Sequence, residues 1–279
     1  MTPFTRAAAA APLAALALGA TAFAAHRAAA DRFHRGVAAL ERSVLGSLPA
    51  TAVRHDLPAA IETFARRNAG VDGDRIESGP VAWRMEQTGT MRITGDGPWR
   101  PFTAKQTIGL REPGFAWFAG FRGPGTLKTQ VVDAFVNDRG LLEARLMGSL
   151  PLARIVGPEA DIAEAMRYVA ELPWAPLAIL TNAHLHWVRL EDDLYEVTLH
   201  TGSGPASARL RMENGDVVLA ESDARMHRRG QYLPWRGTFG RYARIGGVRV
   251  PLRAEVGWIE EGDWRPYWRG DVFAGQYRH

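Results

Sequence analysis

From Val81 onward the chain is a succession of short segments in which apolar and polar residues take turns, and this constrains the fold more than any other feature. In "ASARLRM", Ala208, Leu210 and Met212 alternate with Ser207, Arg209 and Arg211, so a strand here has one dry face and one wet face. "WRMEQTGTMRIT", "PFTAKQTIGL", "TLKTQVVDAFV", "LLEARLMG", "LYEVTLHTG" and "VVLAESDARMH" are segments of similar length. Turn-forming residues separate several of them: Asn137-Asp138-Arg139-Gly140, Glu191-Asp192-Asp193 and Asn214-Gly215-Asp216. The pattern predicts an antiparallel meander of about ten strands or more, and an open twisted sheet of that size curls.

Two helical regions break this pattern. Residues 26–70 read as a helical lead-in. Val37, Leu40, Val44 and Leu45 form one apolar stripe, and Pro58 opens a second helix that Gly70 stops. A third helix is inserted at 158–172, with Pro158, Glu159 and Asp161 in its first turn and Pro173 ending it. On a helical wheel Ile162, Ala165, Met166, Val169 and Leu172 share one side, and Glu164, Arg167, Tyr168 and Glu171 the other. The polar side reads as a solvated outer face with an Arg167–Glu171 pair one turn apart. The alternative is that Arg167 and Glu171 line a pocket. The fold expected is therefore mainly β with helices. A single strongly curved antiparallel half-barrel over 71–279 is crossed by one helix and preceded by N-terminal helices.

The first 25 residues carry a targeting signal. Arg6 precedes an uncharged run from Ala7 to Ala25, and Ala22-Phe23-Ala24 fits an A-x-A cleavage site. The run is also nearly long enough to span a bilayer, although its alanine content makes it a weak anchor. Arg27, Arg32, Arg35 and Arg42 follow, which favours retention of the flank on the cytoplasmic side. Export and anchoring both stay open, with an Ala-rich soluble helix as the plain alternative.

The chemistry-bearing residues exclude more than they select. The 34 basic residues, all arginine except Lys105 and Lys128, are mixed with 30 acidic ones, so no nucleic-acid stripe forms. The absence of cysteine removes disulfides and thiolate chemistry. Ser149 and Ser203 lack the context of a nucleophile elbow. His184 and His186, two apart on a strand, with His200 or Asp192, are candidate zinc ligands, but "HLHWVRL" reads equally as a wet strand face. Glu221, Asp223, Arg225 and His227 share a face and read as self-compensating surface charges. No catalytic or metal-binding residue is assigned, and no cofactor is expected.

Two motifs carry a resemblance: W-x-P-F-x-A-x-Q at 99–106 and R-Y-x-x-E-x-x-W-x-P at 167–176. With "FAWFAGF" (115–121), "VVDAFVNDRGLLEARLMGSLPL" (131–152) and "VPLRAEVGW" (250–258), the chain resembles an uncharacterised bacterial family of unknown function. The resemblance implies an N-terminal membrane segment or signal and carries no catalytic residues. The sheet-plus-helix pattern is similar to the half-barrel of bacterial lipoprotein carriers. A concave apolar face of this kind admits a lipid or other apolar small molecule, with Trp83, Trp99, Trp117, Trp174, Arg167 and Glu171 as candidate ligand-binding residues. The competing readings are an envelope structural protein whose aromatics fill its core, and a hydrolase using a polar row on the sheet.

Overall fold

The computed structural model describes residues 3–76, 79–93 and 97–279, with side chains from residue 19 onward. Most of the targeting segment thus lies outside the residues with described side chains. Helix α1 (Pro3–Leu45) and helix α2 (Ala59–Ala69) form the lead-in, separated by an irregular stretch in which Ala52 bridges to Arg75. Gly70 ends α2 at φ 70°, its N–H donating to Arg66 O. That left-handed cap is the one glycine adopts without strain.

Thirteen strands make one antiparallel sheet. The first six are β1 (Ala82–Met91), β2 (Arg100–Gly109), β3 (Phe115–Arg122), β4 (Lys128–Val136), β5 (Arg139–Leu146) and β6 (Leu150–Val156). Helix α3 (Pro158–Ala170), a single 3-10 turn (Leu172–Trp174) and α4 (Pro176–Thr181) follow. The remaining strands are β7 (Leu185–Arg189), β8 (Leu194–Thr201), β9 (Gly204–Glu213) and β10 (Asp216–Arg228), then β11 (Gln231–Ile245), β12 (Val248–Glu260) and β13 (Asp263–Arg278).

Each strand pairs with its sequence neighbour, and β1 also pairs with β13, with Ala82 opposite Arg278 and Met91 opposite Trp268. The meander therefore runs round almost to closure and opens at one seam, between β6 and β7. These are the two strands that α3 and α4 connect. The turn residues do what their chemistry allows: Asn137 and Asp138 both have positive φ, as do Asn214 and Gly215, the primed turn that matches strand twist.

The concave face holds the main core, including Trp83, Phe102, Phe115, Phe121, Phe135 and Leu210. Helix α2 joins this core through Ile61 and Phe64, the latter edge-on to Tyr242. Helix α1 does not. It lies on the opposite, convex face, where Val44, Leu40 and Leu45 pack on Ala82, Ala116 and Ala134. Phe33 of α1 touches Phe118 and lies under the Arg145 guanidinium on the same side. The lead-in is thus divided between the two faces of the sheet, and its second helix, with Ala50 and Val53 of the stretch before it, helps to cover the concavity.

Candidate ligand-binding site

Helix α3 is the floor of the site, and two hairpins hold its first turn. The buried Asp161 carboxylate accepts from the Gly140 N–H at 2.7 Å and from Ser203 Oγ at 2.8 Å, and meets Arg139 at 3.1 Å. One side chain thus ties the β4–β5 and β8–β9 turns, on opposite sides of the seam, to the helix start. Gly140 makes this approach possible, because a Cβ there would lie 2.2 Å from Ala160 O.

The polar side of α3 is not solvated, contrary to the wheel reading. Glu164 and Tyr168 are buried at 5% and 1% exposure, and Met166 and Val169 are buried on the other side. A helix threaded inside a curled sheet meets protein all round, so polar residues mark buried networks there and not a water face. Tyr168 donates to Gly109 O and accepts from Asn182 Nδ2.

A hydrogen-bond relay converges on Arg167. Trp117 Nε1 donates to Gln87 Oε1 at 2.8 Å, and Gln87 Nε2 donates to Gln106 Oε1 at 3.3 Å. Gln106 Nε2 donates in turn to Glu171 Oε2 at 2.5 Å. Arg167 donates to Glu171 Oε1 at 2.7 Å and to Asp133 Oδ2 at 2.5 Å, with its plane over Phe115 and Trp117. Burial pulls the guanidinium down, but Glu171 and Asp133 outweigh it and leave the pKa above the ordinary arginine value. This cation is fully committed.

Glu164 behaves differently. Burial pushes its carboxyl well above the usual range and the neighbouring Asp133 charge adds to that, while Arg225 only partly offsets them. Arg225 stands 3.8 Å away, too far for a hydrogen bond, so the pair does not hold Glu164 ionised. Asp133 Oδ1 and Glu164 Oε2 are both buried without a protein donor. A proton kept on Glu164 supplies one, as adjacent buried carboxyls commonly arrange.

Above this network, between α3 and the sheet, is a cavity of about 440 Å³. Trp117, Val131 and Leu142 line one side, and Trp235, Trp258 and Trp268 the other. Arg225 and His227 also reach it, because β10 is bulged between Ser222 and Arg225. The bulge splits the row read as one surface face. Glu221 and Asp223 stay outside, paired with Arg209 and Arg236, while Arg225 turns inward and is buried. One inserted residue reverses the facing of the strand beyond it. His227 stacks edge-on to Trp258, and burial, then Arg228, hold its pKa below the usual value.

Of the candidate residues, Trp117, Arg167 and Glu171 come together at the cavity. Trp174 sits behind it, edge-on to Trp268 and donating to Pro251 O. Trp83 is sealed in the core against Tyr277, its ring lying where a Cβ on Gly275 would be 2.3 Å away. Trp99 lies under the Arg92 and Arg269 guanidiniums and does not line the cavity. Sequence reasoning misses Asp133, Glu164, Gln87 and Gln106. A signal for three of them is present, since Gln87, Gln106 and Asp133 occupy dry-face positions in otherwise apolar alternations. The histidine group is dispersed: His184 meets Glu112 at 3.1 Å and His186 packs edge-on to His200. Among the described residues no cluster of three or more His, Asp or Glu is placed to hold a metal.

The fold and site define a class: a nearly closed antiparallel half-barrel with a helix through its mouth and an aromatic-walled cavity between that helix and the sheet. The chain belongs to a family of unknown function, DUF6544, which matches residues 24–270. Among solved structures it is similar to a LolA-superfamily protein from Nitrosomonas europaea, at 11% identity over 80% of this chain and 95% of that one, with a TM-score of 0.42. It is also similar to a DUF1329 family protein from Desulfovibrio piger, at 15% identity over 78% and 92% of the two chains, with a TM-score of 0.41. No curated protein sequence matches it.

Proposed function

We propose that this protein is a non-enzymatic binding or carrier module of the cell envelope that takes a lipophilic small molecule into the cavity beside α3. One observation carries the reading: the core aromatics do not fill the concave face, and about 440 Å³ remains between indole walls. Small-molecule sites have this form, at roughly 300–1,000 Å³ with apolar walls and a few placed polar groups. A structural protein with a solid core leaves no such space.

The envelope location rests on the Arg6 n-region, the uncharged run to Ala25, and a family match that begins at residue 24, beside the A-x-A site. Among the described residues no helix is long and apolar enough to cross a membrane.

Mass spectrometry of organic extracts from the purified protein, with quenching of tryptophan fluorescence by fatty-acid analogues, tests the reading. A co-purifying lipid or saturable quenching is expected. The absence of both would leave the structural reading. One observation favours acid–base chemistry instead, namely the Glu164–Asp133 carboxyl pair facing the cavity. Turnover of a bound ligand that Glu164→Gln abolished, with binding unchanged, would establish it.

A further inference from the structure

We infer that the cavity's ligand is an anionic amphiphile whose carboxylate or phosphate head is bound by Arg225 while its apolar tail lies along Trp235, Trp258 and Trp268. The inference rests on the cavity being a ligand site and names what that site selects.

Two buried arginines beside α3 stand in contrast. Arg167 spends its guanidinium on two carboxylates at 2.5 and 2.7 Å. Arg225, only 8% exposed, has no such partner. Its Nε and Nη2 both reach the same carbonyl, Ala163 O, at 3.4 Å, and Nη1 meets no acceptor among the described residues. The acidic group beside it, Glu164, stands 3.8 Å away, beyond hydrogen-bond distance, and burial shifts that carboxyl toward its neutral form. A guanidinium taken out of water without a hydrogen-bonded counter-charge is costly, and a site that retains one has a use for it.

The surroundings orient this cation for an oxyanion. Its guanidinium carbon lies 5.4 Å from the Trp235 ring and 5.9 Å from the Trp258 ring, both walls of the cavity, and its Nη1 edge carries no protein acceptor among the described residues. That edge presents the fork that matches carboxylate and phosphate oxygens. The cavity as a whole agrees in sign. Arg92, Arg228 and Arg265 also line it, against Glu260 as the remaining acidic group beyond the Arg167 cluster and Glu164. The excess is positive, and the indole walls beside it suit a hydrocarbon chain.

The test is fluorescence titration of the full chain with three probes of equal tail length, each below its micelle concentration: decanoate, decyl phosphate and decanol. A charge-assisted hydrogen-bonded pair is worth at least about tenfold in affinity. At least one anionic probe is therefore expected to bind about tenfold or more tightly than decanol, and whichever anion is preferred identifies the head. In Arg225→Met that preference falls to near one while decanol affinity is retained. Equal binding of all three probes by the wild-type chain overturns the anionic-head inference and leaves the cavity reading standing. No saturable binding of any probe overturns the cavity reading itself. The wild-type comparison tests the anionic head even if Arg225→Met fails to fold. An Arg225→Met variant that folds and keeps the anionic preference also overturns the assignment.

Discussion

Arg167 and Glu171, one turn apart on α3, are joined at 2.7 Å inside the protein, with side chains only 15% and 13% exposed. On a surface helix such a pair contributes a few tenths of a kcal/mol. Here Glu171 is one of two carboxylates that neutralise a buried cation, and it also accepts from Gln106. Glu171→Gln removes the charge and turns an amide donor toward one of two existing donors. The expected loss is about 2 kcal/mol, the scale of a hydrogen bond to a charged group. Met166→Ala on the opposite side costs about 2–5 kcal/mol through the space it leaves. Urea unfolding measures both. A loss of only a few tenths for Glu171→Gln would return that side of the helix to solvent.

The raised pKa of Glu164 makes stability depend on pH in a definite direction. The carboxyl holds its proton longer in the folded chain than in the unfolded one, whose value is near 4.5. The unfolded state therefore releases this proton first as pH rises, and stability from this group is full below about 4.5 and is lost as pH climbs toward the folded value. Glu164→Gln has no proton to lose. The stability of the variant relative to wild type is expected to rise as pH climbs from 5 toward the folded value. A difference that stays flat across that range would mean Glu164 is ionised in the fold and paired with Arg225.

Gly140 is where α3 comes closest to the sheet. A methyl group there would meet Ala160 O at 2.2 Å, a backbone atom that cannot swing away. Gly140→Ala must push the helix start off the β4–β5 hairpin and strain the Asp161 anchor. The cost expected is about 1–3 kcal/mol, the range of overpacking. Hydrogen exchange should show faster opening of α3 than of β11 and β12. Wild-type midpoints and exchange would show that the hairpin yields instead.

The architecture was legible because period-two alternation and turn chemistry are local. "ASARLRM" declares its two faces without reference to anything distant, and Asn214-Gly215 declares its turn. The site was less legible for the opposite reason. Whether Arg167 faces water or a sheet depends on where Asp133 lies, 34 residues away. Arg225 reads as a surface charge until the bulge after Ser222 is known, since a shift of one residue exchanges inside for outside. Trp83 and Trp117 are indistinguishable by type. Only curvature decides that one is sealed against Tyr277 and the other reaches the cavity.

Residues 1–25 are expected to act in targeting and to contribute nothing to the folded half-barrel. Among the described residues, contacts that hold α1 to the convex face include His26 Nδ1 with Ser149 Oγ at 2.6 Å, then Phe33, Leu40 and Val44. These recur at seven, seven and four positions, one stripe of the helix. A chain beginning at His26 should unfold with the same urea midpoint and slope as the full-length chain, and bind the same probes. In cells, a tagged full-length copy should be found with the envelope, and a copy lacking residues 1–25 in the cytoplasm. Fractionation of the two copies checks this directly. A full-length protein found wholly in the soluble cytoplasm would remove the targeting role, and a chain from His26 that failed to fold would make the segment structural.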